Sequence, residues 1–289
     1  MGQPSQKQLY GLIGFPVSHS YSAFMHNAAF AHYGIDAEYR LFEVRPDSLD
    51  DFFKKTIFHE HLQGFNITVP HKEHAVAFLN ASVSPTVRMN QAVNTVRVEP
   101  DGSLSGVNTD GAGFAMDLKE RGFDVAGKKV SMIGAGGGAK AVAASIALAR
   151  PSRFLIFDID DQKAGDLCRT IKKFFVECCV ESVDSVGQLG VSDADLLINA
   201  TPVGMKDSDP MPVKSEWLHK GLFVYDLIYN PAETKLLKAA AHAGCRVANG
   251  LGMLLYQGAL AFEYWTGRNA PLDVMRRALM EEAERRAHA

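Results

Sequence analysis

The chain has 289 residues, enough for one large or two ordinary domains at about 150 residues each. Thirty Lys plus Arg against 33 Asp plus Glu give a net charge of −3 with neutral histidines, so no basic excess exists to neutralise a nucleic-acid backbone or an anionic membrane. With 47% hydrophobic and 22% charged residues the composition is that of a globular protein, and no run approaches the roughly eighteen apolar residues of a membrane span. The opening MGQPSQKQLYG lacks the basic and apolar blocks of a secretory signal, so a cytoplasmic location is expected. Cys168, Cys178, Cys179 and Cys245 contain no CxxC spacing and read as reduced packing thiols. His71, Glu73 and His74 come nearest to a ligand cluster but lack the i, i+4 spacing of a helical zinc pair, and no metal is expected there.

In chain order, residues 8–13 read as a strand broken by Gly14-Phe15-Pro16. Apolar positions then recur at helical spacing over 23–33, and 38–42 return to a strand. The β-branched run 64–69 is a strand ending at Pro70, and 72–79 look helical. Residues 92–97 and 104–107 are strands joined through the turn residues 99–102. Beyond Asp110 the pattern becomes a helix over 114–121 closed by Gly122, a strand over 128–133, and a glycine-rich turn into an Ala-rich helix ending at Arg150. A strand at 153–158, helix 161–174, strands 195–199 and 222–229, helix 234–243 and strand 246–248 complete a second alternating array. Residues 253–265 and 271–286 are helical, with Pro271 as a helix-starting residue. The expected fold class is α/β with two α/β domains, one over 1–112 and one over 113–249. The C-terminal helices, 250–289, are expected to pack back on the first domain.

The most specific chemical signal is Gly134-Ala135-Gly136-Gly137-Gly138-Ala139, a GxGxxA that follows a strand and opens a helix. It combines a tight turn, bare backbone for a pyrophosphate and a helix N-terminus with unpaired N–H groups. Asp158, at the end of the next strand, stands where such a domain places its ribose-binding carboxylate, and it can also cap the following helix. Ile159, Asp160 and Asp161 supply no arginine for a 2′-phosphate, so NAD is expected over NADP, with Lys163 able to soften the discrimination. Asn66 and Thr68 alternate on one strand face and Lys72 follows the Pro70 break, so the three are expected to line one cleft. Asn108-Thr109-Asp110 set polar groups at the hinge between the two arrays, where small ligands bind.

Together these segments closely resemble the shikimate dehydrogenases, including their quinate/shikimate variants, over nearly the whole chain. Gly14-Phe15-Pro16-Val17-Ser18-His19-Ser20-Tyr21-Ser22 resembles the segment whose two serines bind the substrate carboxylate, here Ser20 and Ser22. GFNITVPHK matches the run with the substrate threonine, Thr68, and the catalytic lysine, Lys72. AVNTV supplies the substrate asparagine, Asn94, and VNTDG the catalytic aspartate, Asp110. GAGGGAKA matches the cofactor loop, Gly134 to Gly138, and NATPVGM, with Thr201, the segment beside the nicotinamide. DLIYNP gives Leu227 for the cofactor and Tyr229 for the substrate; NGLGMLLYQG gives Gly250 for the cofactor and Gln257 for the substrate. Two departures stand out: Ala23 replaces a proline after the second serine, and Asp158-Ile159-Asp160 replaces the Asn-Arg-Thr run of NADP-using members. Retention of Ser22, where some quinate-preferring members have threonine, implies that shikimate is accepted.

The resemblance therefore implies an N-terminal substrate domain over 1–112, a C-terminal Rossmann-like dinucleotide-binding domain over 113–249, and an NAD-preferring enzyme that reversibly oxidises the C3 hydroxyl of shikimate to 3-dehydroshikimate, with quinate as a further substrate. The alternatives are a mainly quinate-oxidising enzyme and a non-catalytic ligand sensor of the same fold. The expected partners are these small molecules, with neither nucleic acid nor membrane, and a homodimer is left open.

Overall fold

A computed structural model describes residues 7–287. The chain divides into two units, one of residues up to Gly113 together with those from Leu254 onward, the other Phe114–Met253.

In the first unit β1 (Gln8–Gly14), α1 (Ser22–His32) and β2 (Ala37–Glu43) form a strand, helix, strand segment with β1 and β2 parallel. Residues 46–59, for which the sequence pattern gave no element, are a succession of helical turns: a 3-10 turn Pro46–Ser48, α2 (Leu49–Asp51), a π turn Phe52–Thr56 and α3 (Ile57–His59). β3 (Leu62–Ile67) pairs parallel with β1. α4 (Pro85–Asn90) is started by the Ser84 hydroxyl, which accepts from the Val87 N–H, with Pro85 in the first turn. β4 (Thr95–Val98) and β5 (Leu104–Val107) close the sheet antiparallel, giving the order β2-β1-β3-β4-β5. The turn between β4 and β5 places Gly102 at φ +82°, a conformation that favours glycine.

The helix expected over 72–79 is instead a 3-10 turn confined to His74–Phe78. The Lys72 carbonyl accepts from the Val93 N–H at 2.9 Å and so is drawn out of any helical ladder. Phe78 is held at the other end by stacking on Phe53, ring centroids 4.2 Å apart.

α5 (Asp110–Glu120) leads into the second unit. There β6 (Lys129–Ile133), α6 (Gly137–Leu148), β7 (Arg153–Phe157), α7 (Asp161–Phe174), β8 (Val180–Ser182), β9 (Leu196–Asn199), β10 (Phe223–Asp226), α8 (Lys235–His242) and β11 (Arg246–Ala248) build an all-parallel sheet ordered β11-β10-β9-β6-β7-β8. The order reverses between β6 and β9, which in open parallel sheets marks the ligand crevice. Alternate strand residues feed opposite apolar layers: Leu196 and Ile198 join one, Leu197 and Val224 the other, because the sheet is covered on both faces. In α7 the buried Ala164, Leu167, Cys168 and Ile171 fall at i, i+3, i+4 and i+7, and Asp160 caps its start through the Lys163 N–H. Short β8 has too few residues to show a pattern in sequence.

α9 (Leu251–Thr266) and α10 (Leu272–Ala287) bring the chain back to the first unit, where α10 packs against α1. Trp265 of α9 lies against Gly64, and its indole N–H donates to the Val96 carbonyl at 2.9 Å. No helix among the described residues is long and apolar enough to cross a membrane.

Candidate active site

In the first unit the Lys72 ammonium donates to Asp110 Oδ2 at 2.5 Å, with both side chains largely withdrawn from solvent, at 15% and 5% exposed. Asp110 opens α5, and its own N–H donates to Asn108 Oδ1, so the carboxylate is fixed at a helix N-terminus, where the backbone dipole favours an anion. Asn94 secures the other oxygen: its amide donates to Asp110 Oδ1 at 2.8 Å and to Thr109 Oγ1 at 2.9 Å. Asn94 Oδ1 accepts from the Thr109 N–H at 2.8 Å, while the Thr109 hydroxyl donates to the Gln257 carbonyl of α9. Both Asp110 oxygens are thus taken within the protein, whereas Lys72, with three donors, has spent one. The structure brings Lys72, Asn94, Asp110 and Gln257 into one buried cluster.

Asn66 does not share a cleft with Lys72 in the way the strand alternation suggested. It is 4% exposed and wholly committed to packing polar groups, accepting from the Tyr39 hydroxyl and donating to the Asn94 carbonyl and Thr95 Oγ1. Thr68 is half-buried at the end of β3, bonded through its backbone to Ile13 and His71. The His71 ring lies 2.6 Å from the Val44 carbonyl oxygen and anchors the residue before Lys72. Ser20 and Ser22 form a buried pair with their hydroxyl oxygens 3.2 Å apart. Tyr229 belongs to the second unit, half-buried beyond β10.

In the second unit Gly134 has φ +108°, and a Cβ there would come within 2.7 Å of the Ala200 carbonyl oxygen, so both backbone conformation and space require glycine. This approach joins the ends of β6 and β9, where the strand order reverses. Gly136, the N-cap of α6, offers no side chain to the first-turn N–H groups. A Cβ on Gly136 or Gly138 would meet open space, so packing does not explain their bareness; a loop that leaves backbone N–H groups accessible does. These residues fit the diphosphate of a dinucleotide. Gly250 is set against the backbone of Leu227, whose carbonyl a Cβ would strike. The Thr201 hydroxyl donates to Asn199 Oδ1 at 2.7 Å.

Two further residues, given no role of their own by the motifs, organise these segments. Thr109 is the hub linking Asn94 to Gln257, and its signal was its place in VNTDG beside Asp110. Asp226, a carboxylate closing the apolar run FVYD, is fully buried and accepts from Asn199 Nδ2, the Ile228 N–H and the Thr234 hydroxyl. Burial outweighs these bonds and pushes its pKa up to about 6.

A family profile described as the shikimate dehydrogenase substrate binding domain matches residues 12–96, and one described as the shikimate 5'-dehydrogenase C-terminal domain matches residues 250–280. A curated relative from Moorella thermoacetica, named shikimate dehydrogenase (NADP(+)), is 43% identical over 94% of this chain and 92% of its own. Among solved structures, shikimate 5-dehydrogenase from Listeria monocytogenes in complex with shikimate and NAD has a TM-score of 0.85 at 36% identity, covering 96% of this chain and 97% of that one. Quinate dehydrogenase from Corynebacterium glutamicum in complex with NAD has a TM-score of 0.87 at 31% identity, covering 95% and 99%.

The expected NAD preference is overturned, because the Moorella relative and further curated relatives at 38–41% identity are all named for NADP(+). The acidic run behind that expectation has a local explanation. Asp158 Oδ2 accepts from the Ala135 N–H at 2.7 Å and Oδ1 from the Asp160 N–H at 2.9 Å, so the carboxylate braces the glycine loop. Asp160 caps α7 and pairs with Lys163. Acidity spent on the backbone does not report which dinucleotide is chosen. At the identity and coverage of its relatives, and with a fold shared along nearly its full length, the chain belongs to the shikimate dehydrogenase family, NAD(P)-dependent oxidoreductases that act on a CH–OH group.

Proposed function

We propose that the protein reversibly oxidises the C3 hydroxyl of shikimate to 3-dehydroshikimate, and that the unit containing Lys72 binds this substrate while Phe114–Met253 binds the dinucleotide. The relatives' names make NADP(+) the cofactor to expect, and the quinate dehydrogenase neighbour makes quinate a second substrate worth testing. The reading rests above all on the part-buried Lys72–Asp110 pair.

Hydride transfer itself is the chemistry the nicotinamide supplies. The protein must orient the ring and handle the hydroxyl proton. Lys72 Nζ, with Asp110 bonded to one of its donors, has two left to meet the reacting oxygen, and the pair holds or accepts the proton that oxidation releases. In reduction the same ammonium stabilises the developing alkoxide and returns a proton. Ser20 and Ser22 hold the carboxylate, while Thr68, Asn94 and Gln257 address ring hydroxyls. Such polar recognition discriminates strongly, since a missing hydroxyl leaves a buried group unpaired.

The test is an absorbance assay at the reduced-nicotinamide band with shikimate, quinate and neither, each against both dinucleotides. Turnover of shikimate is expected. Turnover of quinate alone would replace shikimate by quinate as the substrate, and binding of either acid without turnover would favour a ligand sensor.

A further inference from the structure

Two serine hydroxyls hold a carboxylate well only if the backbone between them keeps them convergent, and in the segment carrying Ser20 and Ser22 the local ties run through the hydroxyls themselves, Ser20 Oγ donating to Ser22 Oγ and accepting from the Ser22 N–H, each at 3.2 Å. The segment is a turn closed by the Ser20 N–H on the Val17 carbonyl, and it enters α1 at Tyr21, an N-cap residue that gives no side-chain cap. A further constraint comes from the far end of the chain. Arg286, in the last turn of α10, donates from Nη1 to the His19 carbonyl at 2.7 Å. Its guanidinium also lies over the Tyr21 ring, 4.7 Å from the centroid, and over the Phe24 ring, 5.9 Å from the centroid. One donor thus fixes the residue before Ser20, and one face fixes the residue between the two serines. The arginine is itself held one turn back by Glu282, a carboxylate 3% exposed that accepts from Arg286 Nε and from both Arg285 Nε and Nη2 at 2.8 Å. Bonds from the two arginines keep the Glu282 pKa low, so its charge is secured.

We propose that Arg286 is a positioning residue for recognition of the substrate carboxylate, acting through His19 and Tyr21 on the Ser20–Ser22 pair. The inference rests on the reading that these serines hold the carboxylate. Arginine suits the task because its planar fork donates in-plane while its face stacks on a ring, which a lysine ammonium cannot do at once.

The experiment compares R286A, R286K and E282Q with wild type on shikimate and on its methyl ester, which carries no carboxylate charge, with the ester's affinity taken from competitive inhibition. R286A is expected to raise KM for shikimate by roughly three- to tenfold, the scale of one lost polar interaction. Turnover should stay within about twofold, the pattern of lost uniform binding. The affinity for the ester should fall by a clearly smaller factor, because its neutral oxygens accept from the serine hydroxyls more weakly than a carboxylate does, with R286K and E282Q intermediate on shikimate. A merely structural role would weaken acid and ester alike, and that result, or no change in KM, overturns the proposal. S20A and S22A are run alongside. If they raise KM for shikimate and the Arg286 variants do not, the proposal falls and the serine reading stands; if the serine variants leave KM unchanged, the reading falls and takes the proposal with it. Should R286A fail to fold, R286K and E282Q carry the same comparison.

Discussion

Asn94 and Asp110 are joined by a 2.8 Å hydrogen bond across 16 residues of chain, and that bond decides how the aspartate can work. With Oδ1 held by the Asn94 amide, Asp110 presents only Oδ2 to Lys72, so the lysine has one defined position rather than several. On the mechanism proposed above, a proton handled by this pair would move along a pre-set line, which would lower the cost of reorganisation.

Replacing Lys72 by alanine should lower kcat by about 10²- to 10⁴-fold, the range of a positioned proton-transfer group, with a much smaller change in KM for shikimate. D110N should produce a loss of the same order because it removes the partner that aims the ammonium. Steady-state kinetics on both variants checks this, and near-normal turnover in K72A would exclude the lysine from the chemistry.

The bracing role of Asp158 makes a prediction about the dinucleotide. Wild type should show the higher kcat/KM with NADP(+). D158A should raise KM for NADP(+) and NAD by similar factors, roughly three- to tenfold, since a hydrogen bond to the glycine loop is lost whichever cofactor binds. A selective rescue of NADP(+) binding would show that the carboxylate meets the ribose directly.

At Gly134 an alanine meets both a φ of +108° and the Ala200 carbonyl. G134A is expected to cost about 1–3 kcal/mol locally and to abolish dinucleotide binding, because the loop must shift to relieve the clash. Shikimate binding, measured by calorimetry without cofactor, should be retained.

Two buried groups give the units opposite responses to pH. His26 is fully buried with no hydrogen-bond partner for either ring nitrogen among the described residues, and burial lowers its pKa from 6.5 to about 3. The unfolded chain therefore binds the extra proton first, and the first unit loses stability as pH falls below 6.5, by about 3 kcal/mol at pH 4. Asp226, raised from 3.8 to about 6, binds its proton first in the folded state, so the second unit loses stability as pH rises from 3.8 to 6, by a similar amount of about 3 kcal/mol. Hydrogen exchange from pH 4 to 7 reads each unit separately. H26L should flatten the response of the first unit and D226N that of the second; an unchanged pH dependence in either variant would remove its group as the cause.

How much of this was legible beforehand depends on the range over which each feature is encoded. The α/β class, the alternation of strands and helices, and the glycine loop after β6 follow from neighbouring residues, because period, β-branching and turn chemistry act within a few positions. The motifs likewise pointed to Lys72 and Asp110. Their union across 38 residues was settled only when β3, β4 and β5 paired and set the start of α5 beside the turn after β3. The NAD preference drawn from Asp158 is the instructive failure: sequence showed an acidic side chain at a strand end, but what its oxygens bond to depended on where the loop from the neighbouring strand passed. Arg286 reaches His19 across 267 residues, through the return of α10 onto α1, and no local window contains that contact. Sequence by itself thus determined the α/β alternation, most of its elements and the candidate reactive groups; tertiary structure decided which groups meet and which are already committed, because strand order and helix docking are set by burial summed over the whole chain.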